Sequence, residues 1–168
     1  YDAPWRQVHA MLELAARRPA LASTQVVALS TEQVTHLSTT ALQALTTFQV
    51  GALTTGQVAA LTTDQIAALE TADLRMLGTG QVAAMGTAQL NALRTEQVAA
   101  LTTLQVSALT TAQVAGLTTD NLNALTTSQF ATLTSTQAAA LTTDQVVALQ
   151  TEDVAALGTA AVRGLTTA

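Results

Sequence analysis

The chain has no cysteine, no lysine and only two prolines, and its 168 residues include just four aromatic side chains, Tyr1, Trp5, Phe48 and Phe130. Without cysteine there is neither a disulfide framework nor a thiolate metal site, which suits the cytosol and equally suits bacterial export without disulfides. Charged residues make up 10% of the chain, against roughly 25% in an ordinary soluble domain. Residues 21–168 hold three arginines, Arg75, Arg94 and Arg163, against nine acids. Nucleic-acid affinity comes mainly from clustered cations, so nucleic acid is not an expected partner. The uncharged stretch from Val98 to Thr119 has the length of a membrane span. It carries Gln105 and Gln113, however, and the same pattern runs on through charged segments on both sides, so no membrane span is expected. No signal-peptide pattern is visible.

What is present is a repeat. Leucine recurs every eight residues from Leu21 to Leu165, with Met85 the single departure, giving eighteen whole octads and the four residues 165–168. No insertion breaks the register. The consensus is L-T-T-x-Q-V-x-A. The third position is Ser or Thr throughout, and the sixth is apolar throughout. The fifth is glutamine in thirteen of the eighteen octads and becomes Ala41, Asp73, Asn121, Asp153 and Ala161 in the rest. The second and fourth positions vary freely, which marks them as solvent-facing.

A continuous α-helix is excluded, because eight residues at 100° each leave the leucine stripe drifting by about 80° per octad. A regular strand is excluded by its period of two, which puts the first and sixth positions on opposite faces. The remaining solution is a helix broken once per octad. The third-position hydroxyl is the expected N-cap, the fourth position the first helical residue, and acids such as Glu32, Asp64 and Glu96 there suit the helix dipole. The sixth-position residue and the next leucine fall on one face. Helices this short are unstable alone, so they must stack coil on coil. The expected fold is therefore an all-α solenoid of very short N-capped helices, one per octad, with a β-solenoid as the alternative. In such a stack the glutamines form a ladder or satisfy the corner carbonyls; otherwise they are solvated helix formers. The replacements at this position suggest that single rungs are dispensable.

Residues 1–20 read differently. Pro4 and Pro19 bracket a helix in which Trp5, Val8, Leu12 and Ala15 share a face, which is expected to cap the array over residues 21–168, the alternative being the tail of a preceding domain. The chain stops midway through an octad, as a piece of a longer array would.

Catalysis needs convergent titratable groups. His9 and His36 stand apart from any acid partnership, and the acids recur singly at helix starts. No catalytic residue, metal site, cofactor or small-molecule substrate is expected, and the chain is read as no enzyme. Phe48 and Leu104 occupy the usually polar fourth position. Either they cover a neighbouring coil or they mark a contact patch.

The octad and following leucine at 141–149, LTTDQVVAL, resemble the opening helix of a transcription activator-like effector repeat, which reads L-T-P-x-Q-V-V-A-I. Thr143 replaces its proline, and the base-reading loop and second helix are missing, so no DNA binding is carried over. More broadly, the octads of residues 21–168 resemble the Thr-, Gln- and Ala-rich short tandem repeats of long bacterial secreted or surface proteins. That resemblance implies an exported structural role, with the cytoplasm as the alternative location. The expected function is a structural or scaffolding array whose open ends favour self-association into fibres. The alternatives are a protein-binding solenoid, such as a secreted effector or adhesin module, and an ice-binding surface built on threonine columns. The expected partners are proteins, either further copies of the array or others.

Overall fold

The computed structural model describes residues 23–165, and the proposed N-terminal cap, with Trp5 and His9, lies outside them. The described residues form eighteen short α-helices and no strand. In chain order they are α1 (Ser23–Val27), α2 (Thr31–Thr35), α3 (Thr39–Gln43), α4 (Thr47–Gly51), α5 (Thr55–Ala60) and α6 (Thr63–Ala68). Next come α7 (Thr71–Met76), α8 (Thr79–Ala83), α9 (Thr87–Asn91), α10 (Thr95–Ala100), α11 (Thr103–Ser107) and α12 (Thr111–Ala115). The series closes with α13 (Thr119–Asn123), α14 (Thr127–Phe130), α15 (Ser135–Ala139), α16 (Thr143–Ala148), α17 (Thr151–Ala156) and α18 (Thr159–Leu165). There is one helix per octad, so the fold is the all-α solenoid and not the β alternative.

The helices begin one residue earlier than the invariant hydroxyl suggested. The N-cap is the second octad position: Thr62, with φ −72° and ψ 162°, accepts through Oγ1 from the Gln65 N–H at 3.2 Å. The third-position Thr63 is the first helical residue. The sequence carries the reason as T-x-x-Q, a capping box in which the glutamine reaches back to the N-cap N–H. Gln65 Oε1 accepts from the Thr62 N–H at 2.8 Å. Where the second position has no hydroxyl, as at Gly86 and Arg94, the glutamine half of the box persists, at 2.7 and 2.8 Å. The fourth-position acids still lie within the first turn, where the dipole favours them.

The corner is two extended residues. Leu61 (φ −56°, ψ 140°) and Leu69 (φ −62°, ψ 143°) leave the helix, and the next residue continues extended before the new helix starts. Both conformations are open to any L-residue. None of the eight glycines has a positive φ, so the corners need no glycine.

Helices pack on those three further along the chain: α4 on α7, α5 on α8, α7 on α10, α15 on α18. The glutamine side chains span a little more. Gln57 Nε2 donates to Leu29 O, 28 residues back, and to Val26 O, 31 back. The link between helices thus lies beneath the start of a helix in the coil above. Close approaches between coils fall at separations of 25 to 31 residues and centre on 28. One coil is therefore about three and a half octads. The leucine and sixth-position columns form one continuous core from Val26 to Ala161, with Phe130 its largest buried member.

Candidate interaction surface

Inside the coils the chemistry is repetitive. Gln113 is typical. Its Oε1 accepts from the Thr110 N–H at 2.8 Å, and its Nε2 donates to Val82 O at 3.0 Å and Met85 O at 2.7 Å. One amide therefore caps its own helix and fastens the coil beneath. All eleven fifth-position glutamines from Gln49 to Gln145 are buried, so the solvated reading does not hold, and the bonds run to corner carbonyls and not from glutamine to glutamine. Gln81 follows the same scheme, with short bonds to the Gly78 N–H and Leu53 O.

Two octads bring a carboxylate to this place. Asp73 and Asp153 are both buried. Burial pushes each carboxyl pKa up, opposed by a backbone hydrogen bond from Glu70 and Gln150 respectively, with the neighbouring Glu70 or Glu152 adding to the rise. Asp153 Oδ2 has no hydrogen-bond partner, and neither has the buried Asn123 Oδ1.

On the outside, sequence reasoning singled out Phe48 and Leu104. They are 75% and 71% exposed, so they do not serve as cover for a neighbouring coil. They are 56 residues apart, two coils of 28, and midway between them stands Met76, 44% exposed. The three large apolar side chains therefore rise in one column on successive coils. Met76 escaped the sequence reading because it takes the eighth octad position, not the fourth. A period of 28 would have found it. Flanking columns hold only small uncharged residues: Ala44, Ala72 and Ala100 on one side, Ala52, Gly80 and Ala108 on the other. Arg75 adjoins Met76.

The fourth-position acids gather elsewhere. Counted on the same coil, Glu32 falls in a column with Asp144, Asp64 with Asp120, and Glu96 with Glu152, and these three columns are adjacent. Arg94 is the arginine of this flank, paired with Glu96 at 3.0 Å. His36 joins the Asp64 column, its Nδ1 2.8 Å from Glu32 O, bound to its own helix. The solenoid thus has an acidic flank and a neutral flank bearing the apolar column.

Among the described residues, no three or more His, Cys, Asp or Glu side chains are grouped to hold a metal ion. No described helix is long and apolar enough to cross a membrane. A shallow recess of about 450 Å³ between α15 and α18 is lined by Ser135, Thr136, Ala139, Ala160, Arg163 and Gly164. It contains no carboxylate or histidine, so it brings no acid–base pair together.

The pattern of the ALTTAQ repeat matches the sequence five times, over residues 35–63, 66–103, 99–127, 119–151 and 146–168. No curated protein and no solved structure matches the chain.

Proposed function

Because the chain belongs to the ALTTAQ repeat family, we propose that it is a non-catalytic structural array which lengthens by adding coils and associates with further octads of its own kind. The observation that carries this reading is the sameness of the glue. Each coil is fastened to the one beneath by a consensus glutamine on consensus backbone, as Gln65, Gln97 and Gln129 show on Leu37 O, Leu69 O and Leu101 O. The face of one coil is therefore complementary to the underside of almost any other. The last described coil presents such a face, with Val146, Val154 and Val162 exposed in a column that is buried elsewhere. Contacts of this head-to-tail kind do not close on themselves and so build filaments. Light scattering and negative-stain imaging over a concentration series test it: growing rod-like species are expected, and a particle that stays monomeric up to millimolar concentration overturns self-association.

A second reading, a protein-binding solenoid, is favoured by the Phe48–Met76–Leu104 column. A capture experiment with Phe48→Ser and Leu104→Ser tests it, since loss of a retained partner without loss of fold is what it requires. Ice binding draws no support from the coil. Residues 28 apart alternate between the third and seventh octad positions, so threonine does not stack on threonine. The proposed location, outside the cell or on a bacterial surface, rests on the resemblance of the octads to exported repeats. Fractionation of expressing cells tests it.

A further inference from the structure

The fifth position departs from glutamine at Asp73, Asn121, Asp153 and Ala161 within the part of the array whose lower coil is described. Each departure leaves a helix start without its reach-back acceptor and a corner beneath without its donor. The seventh position supplies a second pattern. It is usually small, and it carries an amide only at Gln43, Asn91 and Asn123. Thirty residues after these stand Asp73, Asn121 and Asp153. All three seventh-position amides thus lie one coil below a fifth position that has lost its glutamine.

The geometry gives the reason. Asn121 Nδ2 donates to Leu90 O at 3.0 Å, as a glutamine does, but the shorter side chain gives no bond back to the Thr118 N–H. That N–H donates instead to Asn91 Oδ1, at 3.0 Å, from the coil below. Asn91 Nδ2 in turn donates to Gly116 O at 2.8 Å. Two asparagines on neighbouring coils therefore share the task that Gln113 performs alone in the octad before. Gly116 permits the approach, because a Cβ there would lie 2.6 Å from Thr87 Cγ2. The other two amides make the same upward bond: Gln43 Nε2 to Ala68 O and Asn123 Nδ2 to Ala148 O, each at 2.9 Å and each 25 residues ahead. The remaining departure, Ala161 over Ala131, has no amide. There α18 closes directly on α15, with the Cα of Gly164 so near that a Cβ would sit 2.3 Å from Ser135 O.

We propose that Gln43–Asp73, Asn91–Asn121 and Asn123–Asp153 are cross-coil latches, in which a seventh-position amide takes over the helix-start and coil-joining bonds of a missing fifth-position glutamine one coil above. Each partner is needed only because of the other. The seventh-position amide is idle beneath a glutamine, and the shortened fifth position leaves its helix start open without the amide.

Amide hydrogen exchange at Thr118 tests the best-formed latch. Asn91→Ala should accelerate exchange there about tenfold or more while leaving Thr110, which Gln113 caps, unchanged. In the Asn91→Ala/Asn121→Gln double variant, the restored glutamine should bring Thr118 protection back to within about threefold of the parent. Asn91→Asp keeps the acceptor and gives up the donor, so Thr118 should stay protected in that variant even where Gly116 loosens. Unchanged exchange at Thr118 in Asn91→Ala overturns the proposal, as does failure of Asn121→Gln to rescue it. Should Asn91→Ala not fold alone, folding of the double variant is itself the rescue, and a double variant that also fails overturns it.

Discussion

Gln105 sits near the middle of the array and is 2% exposed. Its Nε2 lies 2.7 Å from both Leu74 O and Leu77 O, and its Oε1 lies 2.8 Å from the Thr102 N. Gln105→Ala removes these bonds together. Leu74 O keeps the bond from the Leu77 N–H at 3.2 Å, so the deficit falls mainly on Leu77 O and the Thr102 N–H. A buried polar group deprived of its partner costs about 1–3 kcal/mol. Two such groups and the vacated side-chain volume give an expected loss of about 3–5 kcal/mol, the same size as the roughly 2–5 kcal/mol for Leu101→Ala. The occurrence of Ala41 and Ala161 in the column suggested a much smaller figure, but Ala161 is offset by the close seating of α18, which residue 105 lacks. Urea denaturation measures the total. Hydrogen exchange measures its reach, which should cover the corner at 74–77 and the helix start at 102–105 and leave residues 30–50 almost untouched. Gln105→Glu separates the donor from the acceptor: it retains the bond from Thr102 and turns an oxygen towards two carbonyls, so at neutral pH it should be the more damaging change. A loss below about 1 kcal/mol for Gln105→Ala, or protection falling evenly along the chain, refutes the reasoning.

Three further outcomes follow from the same structure. Thr62→Ala should cost about 1 kcal/mol and Thr63→Ala clearly less, because Thr62 holds the cap; thermal melts in which Thr63→Ala proves the costlier would shift the helix starts by one residue. Asp73 and Asp153 have raised pKa values in the folded state, so folding retains their protons after the unfolded chain, with its ordinary value of 3.8, has released them. Their contribution is complete below about pH 3.8 and is lost as pH rises through the folded values. Asp73→Asn/Asp153→Asn should therefore be more stable than the parent at pH 7 and lose this part of the pH dependence, and an unchanged urea midpoint at pH 7 counts against it. Gly164→Ala places a methyl against the Ser135 carbonyl and should cost about 1–3 kcal/mol by overpacking, whereas Gly158→Ala, with open space around it, should be close to neutral; equal melting temperatures for the two variants would remove the close contact of α15 with α18.

The fold was legible because one unit is repeated without a break in register. Leucine and valine at a spacing of three, with a hydroxyl just before, admit few backbones other than a short capped helix. The cap itself was misplaced, because invariance at the third position outweighed the T-x-x-Q signal at the second. The third-position threonines instead stand at the coil interface: Thr31 and Thr55 carry their methyls to within 3.9 Å of where a Cβ would stand on Gly56 and Gly80 one coil up. The number of octads per coil was not legible, since nothing in an eight-residue period states how far the chain travels before it meets itself. Met76 and the latch pairs stayed hidden for the same reason. They are visible only at 28 and 30 residues, spacings set by three-dimensional stacking. Phe48 and Leu104 were found because each is locally anomalous, but their alignment was not.

A coil of 28 residues and a repeat of eight share no common step shorter than 56. This has an evolutionary edge. Duplicating or losing one octad is silent to the local bonds, since every helix still finds a leucine, a cap and a glutamine. It nevertheless advances the chain by eight parts in twenty-eight, turning all that precedes the event by about 100° against all that follows. Such an event between Phe48 and Leu104 would scatter the apolar column around the shaft, and one between Asn91 and Asn121 would separate the two halves of a latch. Seven octads, gained or lost as a block, leave every column in place. The array is in effect a gear of incommensurate teeth, free to grow at small local cost and able to keep a decorated face only when it grows by two full turns.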